Sequence, residues 1–128
     1  MNRVVARFKD GRLVKGATSD FLPNKDAFHV ATPGSKPLVI QTKDLKALFF
    51  VRDHTGDPGH IEGNEIDSAR PGSGRPIKVV FKDGEILVGT TNGYQPGRPG
   101  FFLVPADSGS NIERCYVVSE SAEQISFL

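Results

Sequence analysis

One tetrapeptide, Phe-Lys-Asp-Gly, occurs at Phe8 to Gly11 and again 73 positions later at Phe81 to Gly84. Laying Arg3 to Val30 over Pro76 to Leu103 without gaps also matches Gly16 with Gly89, Thr18 with Thr91, Pro23 with Pro96 and Phe28 with Phe101, and sets Phe21 against Tyr94. With four extra residues in the second copy, Thr42 to Val51 then falls over Ser119 to Leu128. A chain of 128 residues that repeats itself in this way is expected to build one small unit twice. The repeat divides it into a first unit at 1–52, a Gly- and Pro-rich acidic linker at 53–75 and a second unit at 76–128.

Within each copy, short Val-, Ile- and Phe-rich runs are separated by Gly, Pro, Asn and Asp, which is the pattern of an all-β meander. Val4, Ala6 and Phe8 alternate with Arg7 and Lys9, and Ile77, Val79 and Phe81 alternate with Lys78 and Lys82, the period of a half-buried strand. The Asp-Gly pairs predict hairpin turns, either of two residues or of three with the glycine forming a bulge. Leu13 and Val14 are both apolar, so the pattern leaves the register open. Gly16 and Gly89 predict a bend inside the second strand. Five strands are expected in the first copy, at about 3–9, 12–20, 27–31, 37–41 and 46–52, with equivalents in the second, and a single 3₁₀ turn at Thr42 to Asp44. Each set of five is expected to close separately on its own phenylalanines, the first around Phe8, Phe28, Leu48 and Phe50.

The stretch VVARFKDGRLVKGATSDFLPNKDAFHV resembles the first signature of Sm-like proteins: alternating hydrophobic positions, a Gly turn, a Gly at the bend and an aromatic residue at the strand end. The resemblance implies two tandem five-stranded SH3-like or Sm-like small barrels, and the paired arrangement is similar to an uncharacterised bacterial family. The chain departs from the Sm pattern where RNA recognition would reside. Its loops read FLPNKDAF and YQPGRPGF, and TKDLKA and SESAEQ stand before the last strands without Arg-Gly. No RNA-binding residue is therefore carried over.

A net charge of +1 hides an uneven distribution. Residues 1–52 contain ten Lys/Arg and four Asp/Glu, residues 53–75 two and five, and residues 76–128 four and six. Arg3, Arg7, Lys9, Arg12 and Lys15 on the first hairpin form a basic set able to attract phosphate. Such residues equally serve to protect an edge strand, or to dock on the acidic linker or second unit. Lys25 and Arg98 recur beside Pro in the two matched loops and complete the candidate binding set.

Catalysis is not expected. Cys115, the single cysteine, begins a β run and reads as a small buried hydrophobe. His54 and His60, with Asp53, Asp57 and Glu62, lie in the linker without a recognised ligand spacing, and no metal or cofactor is expected. The glycines of ARPGSGRPI lack the strand and helix that a phosphate loop needs. No apolar segment approaches a membrane span and the N-terminus has no signal-like core, so a cytoplasmic protein is expected. The sequence points to a non-catalytic interaction module that binds a protein partner or itself through strand edges and loops. The competing expectation is a nucleic-acid or nucleotide binder using the basic hairpin.

Overall fold

The computed structural model describes residues 1–54, 74–107 and 110–128. Its strands are β1 (Asn2–Phe8), β2 (Leu13–Thr18), β3 (Ala27–Val30), β4 (Leu38–Gln41), β5 (Leu45–Val51), β6 (Arg75–Phe81), β7 (Ile86–Thr91), β8 (Gly100–Pro105), β9 (Ile112–Val118) and β10 (Ala122–Phe127). Single 3₁₀ turns at Thr42–Asp44 and Ser119–Ser121 lead into β5 and β10. The protein is all-β, and most of the linker (residues 55–73, with His60, Asp57 and Glu62) lies outside the described residues.

Both FKDG turns are of the three-residue kind. In the first, the Gly11 amide donates to the Phe8 carbonyl at 3.1 Å and the Phe8 amide to the Arg12 carbonyl at 2.9 Å. The second repeats this with Gly84 donating to Phe81 at 2.9 Å and Phe81 to Glu85 at 2.8 Å. Gly11 (φ 93°) and Gly84 (φ 92°) occupy the left-handed region that side chains avoid. Asp10 and Asp83 fix the turns by accepting the amides of Arg12 and Glu85, each at 3.0 Å. The turn sets the register that the apolar pattern leaves open, with Arg7 opposite Leu13 and Ala6 opposite Val14.

Gly16 and Gly89 answer to a different constraint. A Cβ on Gly16 would strike the Ala31 carbonyl and Val30, and one on Gly89 the Val104 carbonyl and Leu103. The bent second strand of each copy therefore passes too close to the third for any side chain. In the first copy this crossing is a single bridge, Ala17 with Ala31, and in the second it is the short pairing of Gly89 with Pro105 and Thr90 with Val104.

The strands form an eight-stranded antiparallel sheet in the order β10-β6-β7-β8-β9-β5-β1-β2 and a two-stranded sheet, β3-β4. The second copy thus runs fifth-first-second-third-fourth, and the first copy follows the same order once the Ala17–Ala31 bridge to β3 is included. Between the copies lies an antiparallel seam of β5 on β9, with Ala47 opposite Val117, Leu48 opposite Tyr116 and Phe49 opposite Cys115.

That seam overturns the expectation that each half closes separately on its own phenylalanines. Ala47, Phe49 and Val51 from β5 are buried with Ile77, Val79, Phe81, Leu103 and Val117 of the second half. Tyr116 and Val118 from β9 are buried in return with Val4, Phe28, Leu48 and Phe50 of the first. The physical reason lies in LKALFFV, whose seven residues are all buried. A strand apolar on both faces needs cover on both, and its own half supplies only one.

Candidate functional site

The basic hairpin residues do not form one free surface. Arg7 donates to both carboxylate oxygens of Glu85, at 2.9 and 3.2 Å, across the boundary between the halves. Lys9 lies 3.3 Å from Glu120, also in the second half. Arg12 turns back on Asp10 at 2.7 Å and stacks over Phe8. Arg3 donates to the Arg52 carbonyl at 2.9 Å and Lys15 to the His54 carbonyl at 3.0 Å. Of the readings open from sequence, the arrangement of Arg7 and Lys9 is docking of the basic half on acidic groups of the other.

At the centre of this contact is Lys46, which the candidate set omitted. Between Arg7–Ala47 and Phe8–Leu45 the β1–β5 register shifts, so Lys46 is the extra residue of a bulge. Such a bulge re-aims a side chain. The Lys46 side chain is only 6% exposed, and its ammonium reaches Asp83 at 2.6 Å and Glu85 and lies 4.6 Å from the Phe81 ring centre. Hydrogen bonding from Lys46, then from the Glu85 amide, holds the Asp83 carboxyl below its ordinary range. A lone charge inside an otherwise apolar strand was the available signal.

Lys25 and Arg98 are brought together. Their two loops line a cleft of about 650 Å³ between the halves, with Lys43, Thr42 and Tyr116 also on its walls. The Thr42 hydroxyl is buried there without a hydrogen-bond partner among the described residues. Arg98 donates to Gln95 at 2.8 Å. Asp26 and Glu120 line the same cleft and offset part of its positive charge.

His29 sits on β3 against Asp20, Nδ1 to Oδ2 at 2.6 Å, and the same carboxylate accepts the His29 amide at 2.9 Å and the Thr18 hydroxyl at 3.1 Å. These bonds, led by that from the His29 ring, bring the Asp20 carboxyl down to about 2. Cys115 is buried in the second half's core, and burial pushes its thiol up. Among the described residues no group of three His, Cys, Asp or Glu is placed to hold a metal ion. No helix among them is long and apolar enough to cross a membrane.

The second recurrent feature is a pair of open strand edges. β4 pairs only with β3 and β10 only with β6, so each leaves one side without a strand neighbour among the described residues. On β4, Leu38 is 42% and Val39 62% exposed, an apolar edge with no Lys or Pro inside it. Such an edge offers unpaired amides and carbonyls to another chain.

Fold and surface together define an all-β protein with a large antiparallel sheet and a small one, a cleft lined from both ends of the chain and, among the described residues, two open strand edges. The chain belongs to DUF6982, a family of unknown function, and the match spans residues 1–128. Neither the curated proteins nor the solved structures contain a match to it.

Proposed function

We propose that the chain is a non-catalytic, cytoplasmic interaction module. Each half is read as a five-stranded Sm-like barrel, and the pair acts by accepting an extra β-strand, from a protein partner or from another copy, on the open side of β4. The observation that carries this reading is the exposure of Leu38 and Val39 on a strand whose outer backbone groups have no partner strand among the described residues. Strand addition obtains affinity from backbone hydrogen bonds and specificity from alternate side chains. The Sm-like reading draws on the fifth-first-second-third-fourth strand order, the Gly bend and the Gly turn in both copies. The single Cys115, with no second cysteine to pair with, suits a reducing compartment.

Selection of peptides from a displayed random library on the full chain tests strand uptake. Selected peptides are expected to bind as extended segments, to slow amide exchange at residues 38–41, and to lose binding in Val39→Lys. Peptides that protect other segments and bind Val39→Lys unchanged would overturn it.

A second reading, nucleotide or nucleic-acid binding, is favoured by one observation: Lys25, Lys43 and Arg98 share one cleft. Here the cleft takes the place of the hairpin, whose Arg7, Lys9 and Arg12 already have carboxylate partners. Binding of a generic oligonucleotide, weakened by salt and by Lys25→Glu with Arg98→Glu, is the expected result. Absence of binding at low salt removes this reading.

A further inference from the structure

We propose that the occupant of the β4 edge is a second copy of this chain, which docks its β10 on β4 head to tail and reproduces between molecules the seam that β5 and β9 make within one. The inference rests on the strand-uptake reading and names its partner. It follows from the repeat. β5 is the fifth strand of the first copy and β9 the fourth of the second; the strands in the same places whose edges remain open among the described residues are β10 and β4. Both are available at once, on opposite ends of the molecule's strand order, and a contact between unlike edges propagates or closes into a ring.

The repeat also fixes the register. Thr42 corresponds to Ser119, so Ala47, Leu48 and Phe49 correspond to Gln124, Ile125 and Ser126. Leu38, Val39 and Ile40 correspond likewise to Cys115, Tyr116 and Val117. Transferring the observed β5–β9 pairs places Gln124 opposite Ile40, Ile125 opposite Val39 and Ser126 opposite Leu38 of the next copy. Val39, 62% exposed in the single chain, then takes the position in which Tyr116 is buried against the neighbouring half.

Of the ion pairs across the internal seam, one recurs at the matched positions with its signs exchanged, whereas Lys46–Asp83 maps onto two carboxylates, Glu123 and Asp10. Glu123 is the extra residue of a bulge between Ala122 and Gln124, the counterpart of the bulge that aims Lys46. Lys46 meets Glu85 inside the chain. Their counterparts are Glu123 and Arg12, the same pair with its signs exchanged. In the single chain Glu123 is exposed, and Arg12 pairs with its neighbour Asp10 and stacks over Phe8. The counterparts of Lys9 and Glu120 are both lysines, Lys82 and Lys43, on the exposed rim where ion pairs contribute little. Since Gln124 and Ser126 replace Ala47 and Phe49, the seam between molecules buries less apolar surface than the internal one, and assembly is reversible and concentration-dependent.

Light scattering of the full chain over rising concentration is expected to show masses above the 13.9 kDa of one chain. Glu123→Arg or Arg12→Glu weakens association by about tenfold, and the two together recover it. Leu38→Cys and Ser126→Cys proteins, mixed and mildly oxidised, form a disulfide only with each other. A chain monomeric at every concentration overturns the inference while leaving peptide uptake at β4 to its own test. Disulfides of Leu38→Cys with itself, or association indifferent to Glu123→Arg, also overturn it.

Discussion

Lys46 shows how one residue can decide the relation between two halves of a molecule. A buried ammonium is tolerated when carboxylates reach it, and here Asp83 and Glu85 do so from the opposite half while remaining about half exposed themselves, at 52% and 44%. Removing the carboxylates together, as Asp83→Asn with Glu85→Gln, leaves the charge uncompensated and is expected to lower unfolding free energy by about 2 kcal/mol, less than for a fully buried pair because water reaches the partners. Adding Lys46→Met should restore most of the loss, since the end of this side chain already lies over the Phe81 ring, where a thioether packs well. Urea denaturation measures all three proteins, and a triple variant no more stable than the double would refute this account. Asp20 supplies a second test. Its folded carboxyl lies at about 2, below the ordinary aspartate range, so its contribution is complete above the unfolded pKa of about 3.9 and disappears as pH falls toward 2. Asp20→Asn is expected to be less stable than the parent at pH 6, with the difference narrowing below pH 4 and closing as pH falls through 2; a difference that persists unchanged in acid would show that the Thr18 and His29 contacts act without the charge.

At the scale of elements the sequence was legible where a local rule sets the outcome. Ten strand positions, the 3₁₀ turn at Thr42–Asp44 and the positive-φ glycines of both FKDG turns follow from alternation and turn chemistry. Gly16 was readable as a bend, but the cause, the Ala31 carbonyl standing where a Cβ would lie, is a contact across the fold that no local pattern carries. The two kinds of glycine therefore respond differently to the same change. Gly11→Ala must hold a side chain at φ 93° and costs about 1 kcal/mol, whereas Gly16→Ala must move backbone and costs about 2–3 kcal/mol. Gly84→Ala and Gly89→Ala should repeat that ranking in the second copy, because their surroundings are the same. Thermal and urea unfolding of the four variants checks it, and equal losses at all four positions would mean that the close crossing relaxes at little cost. Among site residues, Lys25 and Arg98 were legible as matched positions of repeated loops, but their sharing one cleft was not, nor were the partners of Arg7 and Lys9, since Glu85 and Glu120 lie 78 and 111 positions further along the chain.

For the whole molecule the repeat identifies two units but says nothing of how much each borrows from the other. The mark of borrowing lies in LKALFFV, where Leu48 and Phe50 serve one core and Ala47, Phe49 and Val51 the other. Reading that run as an alternating strand hides half of its apolar residues. Its matched strand AEQISF has polar Gln124 and Ser126 at the corresponding places, which marks β5 as an internal strand and β10 as an edge. The energetic consequence concerns cooperativity. Residues 1–52 alone would leave Phe49 and Val51 in water and lose Tyr116 and Val118 from the core around Phe28 and Phe50. Residues 76–128 alone would expose Cys115 and Val117, which β5 covers in the intact chain. Neither piece is expected to fold by itself, whereas the full chain should unfold in a single transition, with fluorescence of Tyr94 and Tyr116 following the same curve as far-ultraviolet circular dichroism. Mixing the two pieces should regenerate the sheet signal through the β5–β9 seam, and Phe49→Asp should prevent it. Two independently folding pieces, each with its own sharp melting transition, would instead mean that the seam is a contact between finished units, and the shared cores would then add little to the stability of either.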